Sequence, residues 1–149
     1  MEMILFIGIP GSGKSSFYKE QFFNSHMRIS LDLLNTKNRE MKLLEFCFNT
    51  SMPLVLDNTN VSVADRNKYI ALAKKNQYRV KGYYFRSDVK NCLLRNTRRT
   101  GKSKVPEVAI LSKYKTLELP SLHEGFDELF YVEAVEENRF IINEWKNEI

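Results

Sequence analysis

The chain has 149 residues, the length of one domain, and its content of 43% hydrophobic and 28% charged residues is typical of a soluble globular protein. No apolar run approaches the roughly 20 residues that span a bilayer, and Met1-Glu2-Met3 lacks the basic start of a signal peptide, so we expect a single cytoplasmic domain over residues 1–149 with no membrane partner. Cys47 and Cys92 lack the Cys or His neighbours of a zinc pattern, which predicts buried thiols.

The net charge of +5 conceals an uneven distribution. Residues 1–117 carry 21 Lys and Arg against nine Asp and Glu, whereas residues 118–149 carry two against nine. A basic body suits a polyanionic partner such as nucleic acid, although a solvated lysine-rich surface would have the same composition. We expect the acidic tail to lie away from any phosphate site.

The first predicted element is a buried parallel strand at residues 3–7, and a phosphate-binding loop follows it. Residues 8–15 are Gly-Ile-Pro-Gly-Ser-Gly-Lys-Ser, which fits the pattern G-x-x-x-x-G-K-[ST]. In this motif backbone N–H groups surround a triphosphate, the lysine reaches its outer phosphates and the last serine is a Mg²⁺ ligand. A helix after the loop would turn its N-terminus toward the anion. The predicted nucleotide-binding residues are Gly8, Pro10, Gly11, Ser12, Gly13, Lys14, Ser15 and Ser16.

Two further predicted strands are followed by carboxylates. Residues 27–30 lead to Asp32, and residues 54–56 run directly into Asp57. Because ligands bind at the carboxyl ends of parallel strands, we expect Asp32 to face the phosphate loop, although an aspartate at this position would serve equally as a helix or turn cap. Asp57 has the pattern of the Walker B acid that holds Mg²⁺.

The middle of the chain predicts two helices. Residues 37–50 have one apolar stripe before Pro53, and Ser62 with Asp65 predicts a capping box that opens the second helix. Arg66 lies near the start of that helix, where the helix dipole disfavours a positive charge. We expect this arginine to be solvated, or else to serve a ligand or partner.

A basic run follows the fourth predicted strand, which covers residues 78–85. Residues 95–104 contain five cations, and Arg95 and Arg99 would share one helix face. With Gly101 ending the helix, this segment predicts a lid that folds over ATP, in which Arg98 contacts the nucleotide and guanidinium groups reach the transferring phosphoryl. A solvated basic loop, or a nonspecific contact to nucleic acid, is the alternative.

The remaining pattern completes the predicted fold. Pro106 restarts a helix, Ser121 and Glu124 before Gly125 predict a capped turn, and residues 129–132 predict a fifth strand. The tail from residue 138 to 149 fits either strand or helix. This alternation predicts an α/β fold with a parallel, doubly wound sheet of about five strands and helices on both faces.

Taken together, these motifs resemble the kinase domain of the 5′-polynucleotide kinases, of the phage type and of the mammalian kinase-phosphatase, over residues 4–132. Besides the phosphate loop and Asp32, the resemblance is carried by the run Leu56-Asp57-Asn58-Thr59-Asn60 that leads to Arg66, by residues 95–99, by Val105-Pro106 and by residues 115–127. The run 57–60 and the segment from Pro120 to Phe126 are more specific than the phosphate loop. The resemblance implies a P-loop kinase that uses ATP and Mg²⁺ to phosphorylate the 5′ end of DNA or RNA. It implies that Asp32 is the general base, that Lys14 binds the β and γ phosphates, that Ser15 and Asp57 arrange Mg²⁺, and that Arg99 and Arg95 stabilise the transition state.

Two positions depart from the phage-type pattern. Asn35 stands where those enzymes carry an arginine for the phosphate next to the acceptor nucleotide, and Leu31 replaces a polar residue before the base. A kinase of a small hydroxyl compound, such as a nucleoside, an antibiotic or a sugar nucleotide, is therefore a second hypothesis. A nucleotide-binding switch without transfer chemistry is a third. We expect any role in the repair of nucleic-acid ends to require a separate phosphatase or ligase.

Overall fold

The computed structural model describes residues 1–101, 104–136 and 139–146. Lys102 and Ser103 of the predicted lid, and residues 138 and 147–149 of the ambiguous tail, lie outside these ranges. The helices and strands are β1 (Glu2–Ile7), α1 (Lys14–Gln21), β2 (Met27–Ile29), α2 (Leu31–Leu34), α3 (Lys37–Thr50), β3 (Leu54–Leu56), α4 (Val63–Lys75), β4 (Arg79–Phe85), α5 (Val89–Thr97), α6 (Glu107–Thr116), a 3₁₀ turn (Leu122–Glu124), β5 (Glu128–Glu136) and β6 (Arg139–Glu144).

The described strands form one sheet in the order β2-β3-β1-β4-β5-β6. Neighbouring strands from β2 to β5 pair in parallel, and β6 pairs antiparallel to β5. The predicted α/β class with a largely parallel sheet is confirmed. The sixth strand lies in the tail, for which the sequence fits either strand or helix. The sequence does not distinguish the two because β6 is exposed along most of its length and lacks the alternation of a half-buried strand.

Both faces of the sheet are covered. On β1, Met3, Leu5 and Ile7 pack with residues of α3 and α4, whereas Ile4 and Phe6 pack with residues of α1. Because side chains alternate across a strand, a continuous apolar run such as β1 requires a helix layer on each face. Cys47 and Cys92 are buried free thiols, as the sequence predicts.

The expectation for Arg66 is wrong. Its side chain is fully buried, and its Nε and Nη2 donate to the Glu124 carboxylate at 2.8 and 3.2 Å. Nη1 donates to the backbone oxygen of Asn60 at 2.9 Å. Arg66 is therefore neither solvated nor directed at a ligand, because its partners come from segments that fold against α4.

The turn that supplies Glu124 is the one the sequence predicts. Ser121 accepts a hydrogen bond from the backbone at the start of the 3₁₀ turn, and the Glu124 carboxylate returns to the Ser121 N–H at 2.9 Å. Glu124 thus closes the capping box and also pairs with Arg66.

Among the helices in the described ranges, none combines the length and the apolar character needed to cross a membrane.

Candidate active site at the phosphate-binding loop

Residues 8–13 connect β1 to α1 as a tight loop at the carboxyl end of the sheet. Gly11 has φ 86°, and a Cβ at this position would lie 2.6 Å from the carbonyl oxygen of Cys92. Gly13 has φ 102° and is the N-cap of α1. These positive φ angles favour glycine, so the loop conformation depends on the glycines of the motif.

Lys14 begins α1 and folds back into the loop. Its Nζ donates to the backbone oxygens of Gly8 and Ile9, both at 3.0 Å. Burial lowers the pKa of Lys14 to about 8, an effect that Asp57 partly offsets. The loop therefore contains an amine that is mostly charged at neutral pH and loses its charge near pH 8.

Ser15 and Asp57 meet at the same edge of the sheet. The Ser15 hydroxyl donates to Oδ2 of Asp57 at 3.2 Å, and Asp57 is buried at the end of β3. Within residues 1–101, 104–136 and 139–146, no group of three or more His, Cys, Asp and Glu could form a metal site by itself. Mg²⁺ commonly takes one or two protein oxygens and completes its shell with substrate phosphates and water, so this hydroxyl and carboxylate pair fits that ion beside a nucleotide.

Asp32 lies in the first turn of α2 and is exposed to solvent. It lines a cavity of about 320 Å³ together with residues of the phosphate loop and with Asp57, which follows β3. The structure thus brings Asp32 to the phosphate loop, as its place after β2 predicts. The residues that line this cavity are Pro10, Gly11, Lys14, Ser15, Leu31, Asp32, Asp57, Asn58, Thr59, Arg99, Val105, Ala109 and Lys113.

Asn58 holds the start of α2. Its Oδ1 accepts a hydrogen bond from the backbone N–H of Leu31 at 2.9 Å, and its Nδ2 donates to Glu40 at 3.0 Å. Glu40 is buried and also accepts from the Tyr69 hydroxyl at 2.5 Å. Burial, with the hydrogen bond to Glu40 as a further cause, raises the pKa of Tyr69. Because Asp32 follows Leu31, this chain of contacts fixes the backbone that carries the candidate base.

The next two residues of the Asp-Asn-Thr-Asn run bind the strand and loop of the phosphate site. The Thr59 carbonyl accepts a hydrogen bond from the Gly8 N–H at 3.0 Å. The Asn60 side chain donates to the Phe6 carbonyl at 2.8 Å, and its φ of 45° is one that asparagine tolerates. The run therefore joins β1, β3 and α2, a role that its sequence does not reveal.

The arginines of the predicted lid occupy different positions. Arg99 lines the Asp32 cavity. Arg95 does not line that cavity, since its guanidinium donates to the backbone oxygens of Gly11 at 3.1 Å and Ala134 at 2.8 Å. Arg98 and Ser16 lie on a second cavity of about 440 Å³. Arg95 and Arg99 also line this second cavity, so Arg99 lines both cavities, whereas Arg95 and Arg98 line the second cavity alone of the two.

The second cavity contains residues that sequence reasoning missed. Ala134, Val135 and Phe140 line it together with Gly13. A Cβ on Gly13 would lie 3.2 Å from the Phe140 ring. The expectation that residues 118–149 lie away from the phosphate site is wrong for this hairpin. β5 is parallel to β4, so its carboxyl end reaches the same edge of the sheet as the loop.

Asn96 joins the two ends of the predicted lid segment by side-chain hydrogen bonds. Asn96 is buried, its Nδ2 donates to the Val105 carbonyl at 2.7 Å, and its Oδ1 accepts from the Val105 N–H at 2.9 Å. These two bonds connect the end of α5 to the segment before α6. Arg99 therefore lies in a loop whose two ends are held together.

Comparison with known proteins identifies the family. A family model named AAA_33 and described as AAA domain matches residues 35–120, more than half of the chain. The chain is 35% identical over 135 residues to a putative bifunctional polynucleotide phosphatase/kinase of Acanthamoeba polyphaga mimivirus, covering 86% of this chain and 32% of that protein. It is 26% identical over 129 residues to a bifunctional polynucleotide phosphatase/kinase of Schizosaccharomyces pombe, covering 84% and 32%. The chain thus spans about a third of the length of these relatives.

Solved structures agree on the fold. A gluconokinase from Sinorhizobium meliloti 1021 superposes with a TM-score of 0.64 at 19% identity, covering 92% of this chain and 85% of that one. This likeness shows that the two chains share a fold. The chain belongs to the AAA domain family AAA_33 and is a P-loop kinase domain that resembles the 5′-polynucleotide kinases.

Proposed function

We propose that this chain transfers the terminal phosphoryl group of ATP to the 5′-hydroxyl of a polynucleotide. The observation that carries the proposal is that Asp32 lines the same cavity as Lys14, Ser15 and Asp57. A carboxylate across from a phosphate loop can accept the proton of a hydroxyl held between them. Phosphoryl transfer asks for positioning and charge neutralisation, and these side chains can provide both.

In the proposed reaction, the acceptor oxygen forms a bond to the γ-phosphorus while the bond from that phosphorus to the β–γ bridging oxygen breaks. The acceptor's proton passes to Asp32, and ADP leaves. Lys14 neutralises the β and γ phosphates, and Arg99 stabilises the charge on the transferring group. Arg95, bound to the Gly11 carbonyl, acts by holding α5 against the loop. Mg²⁺ held by Ser15 and Asp57 would neutralise the nucleotide phosphates when bound.

We assign the second cavity to the base and ribose of the nucleotide. It adjoins Gly13 and Ser16 at the start of α1, so a nucleotide whose phosphates fill the loop would extend into it. The Phe140 ring and the Arg98 guanidinium suit the face of a purine, since aromatic rings and guanidinium planes both stack on bases. This assignment makes Arg98 a nucleotide-binding residue from the lid side.

The basic character of residues 1–117 and the similarity to two bifunctional polynucleotide phosphatase/kinases support a polynucleotide acceptor. Asn35 is the C-cap of α2 with φ 71° and is not among the residues that line the Asp32 cavity. Lys113 on α6 does line it. We propose that Lys113 supplies the contact to an acceptor phosphate that Asn35 does not.

A small hydroxyl compound is the second candidate acceptor. A cavity of about 320 Å³ is large enough for a compact ligand, and Leu31 gives its wall an apolar part. A nucleoside or a sugar derivative would need no contact at position 35.

The test uses ATP labelled in its γ-phosphate, Mg²⁺ and acceptors that differ in one group. We expect label to enter DNA or RNA oligonucleotides that end in a 5′-hydroxyl, and not the same oligonucleotides bearing a 5′-phosphate. Nucleosides and sugars are assayed in parallel at equal concentration. Label in these small acceptors, with none in any oligonucleotide, would refute the polynucleotide proposal in favour of the second candidate.

A further inference from the structure

An arginine from β2 lies at the candidate cation site. Arg28 Nε donates to Oδ2 of Asp57 at 2.8 Å, and Nη2 donates to the Ser15 hydroxyl at 3.2 Å. The Asp57 side chain is 2% exposed and that of Arg28 is 29% exposed. The guanidinium therefore contacts both side chains to which we assign Mg²⁺.

The sheet places Arg28 there. Arg28 is opposite Val55 in the parallel pair of β2 and β3, so the two side chains share a face of the sheet. Asp57 follows Val55 by two residues and continues along that face. The Arg28 Cζ lies 6.0 Å from the centre of the Tyr18 ring on α1, and the Tyr18 hydroxyl donates to the His26 carbonyl at 2.5 Å. Strand register and α1 packing together hold the guanidinium at the site.

The hydrogen bonds of Ser15 show why this contact opposes a metal ion. The Ser15 hydroxyl donates a hydrogen bond to Asp57 and accepts one from Arg28. A hydroxyl has two lone pairs, and Arg28 occupies one of them, which leaves a single lone pair for a divalent cation. If the divalent cation bound Oδ2 of Asp57, it would also lie next to the Arg28 guanidinium, which already contacts that oxygen. Two positive charges so close together repel each other.

We propose that Arg28 is an internal counter-ion, which binds Asp57 and Ser15 and competes with the divalent cation for these two side chains. Cation binding then requires the guanidinium to leave, so the contacts of Arg28 lower the affinity of the protein for the ion. The inference rests on the cation assignment of the proposed function, but not on the identity of the acceptor.

The test measures cation affinity without turnover. Mn²⁺ and Mg²⁺ are titrated calorimetrically into the nucleotide-free protein and into Arg28→Gln. A hydrogen bond to a charged group contributes enough to change an equilibrium constant about ten- to a hundredfold, so we expect Arg28→Gln to bind Mn²⁺ at least about tenfold more tightly. Arg86→Gln is the matched control, since Arg86 pairs with Glu133 and Asp88 and does not line the Asp32 cavity. The Arg86→Gln variant should bind Mn²⁺ with the same affinity as the unchanged protein.

Two further variants separate the possible failures. Arg28→Lys keeps the charge and should bind Mn²⁺ less tightly than Arg28→Gln, and melting curves with and without Mn²⁺ verify that each variant is folded. Equal or weaker Mn²⁺ binding by Arg28→Gln, while Asp57→Asn still abolishes binding, would overturn the counter-ion proposal alone. Unchanged binding by Asp57→Asn would instead remove the cation assignment on which it rests.

Discussion

Asn58 accepts a hydrogen bond from the backbone N–H of Leu31 at 2.9 Å, and this contact joins the end of β3 to the helix that carries Asp32. The same side chain donates to the buried Glu40. The distance from Asp32 to the phosphate loop therefore depends on Asn58, whose neighbour Thr59 accepts a hydrogen bond from the Gly8 N–H of that loop.

Replacing Asn58 by alanine should lower the turnover number about tenfold and leave the affinity for ATP unchanged. Small misplacements of a catalytic group cost rate, because the acceptor and the base no longer align. The variant should also lose about 1–3 kcal/mol of unfolding free energy, since Glu40 loses a buried partner. Steady-state kinetics and urea unfolding measure the two effects.

Asn76→Ala is the control for this substitution, because Asn76 also donates a side-chain hydrogen bond, to the Leu72 carbonyl, but lies on the exposed end of α4. Its kinetics should match those of the unchanged protein. An Asn58→Ala variant with full turnover would show that this contact does not position the base.

The affinity for ATP should fall as the pH rises through the pKa of Lys14, which is about 8 in the nucleotide-free protein. Below this pH the amine is charged and attracts phosphate, whereas above it binding must first recover a proton. Linkage then predicts a dissociation constant about tenfold higher at pH 9 than at pH 7. Calorimetry in buffers of different ionisation enthalpy should also detect proton uptake near pH 8.

Lys14→Arg separates this effect from other titrations, because arginine stays charged throughout the range. Its ATP affinity should be lower overall but independent of pH between 7 and 9. An unchanged protein whose affinity is equally flat over this range would contradict the assignment of the titrating group.

Lys113→Ala should raise the KM for an oligonucleotide acceptor and leave the KM for ATP unchanged. If Lys113 neutralises one acceptor phosphate, its loss should reduce the slope of log KM against log salt by about 0.7 for a single strand. Lys42→Ala on the exposed side of α3 is the control and should preserve the slope. Equal slopes for all three proteins would place the acceptor phosphates elsewhere.

Arg66→Met should destabilise the fold strongly. Removing one partner of a buried ion pair leaves the other charge uncompensated, which costs about 3–5 kcal/mol of unfolding free energy. Lys74→Met removes the exposed pair with Asp127 from the same helix, and an exposed pair contributes about 1 kcal/mol or less. Chemical unfolding of both variants, monitored by circular dichroism, tests the contrast, and similar losses would contradict it.

The elements that could be predicted from sequence are those with local signals. The phosphate loop has a fixed spacing of Gly8, Gly13 and Lys14 after an apolar strand, and Asp57 directly ends another such strand. The order of strands and helices then determines which edge of the sheet carries them. For these residues, position in the chain is sufficient to predict position in the fold.

Other features depend on contacts between distant segments. Arg66 is buried and pairs with Glu124, 58 residues later in the chain. Phe140, which lines the second cavity, belongs to a tail whose sequence fits either strand or helix. The Arg28 contact with Asp57 arises from the register of β2 against β3. No local propensity encodes such pairings, because they are set by packing across the sheet.

The most direct test of the account is the rate of phosphoryl transfer by Asp32→Asn, measured in a single turnover with a 5′-hydroxyl oligonucleotide, alongside its affinity for ATP. Asparagine keeps the size of the side chain but cannot accept the acceptor's proton as a carboxylate does. The account predicts transfer slower by about 10²–10⁴-fold with nucleotide affinity retained. Transfer at the unchanged rate would contradict the assignment of Asp32 as the base.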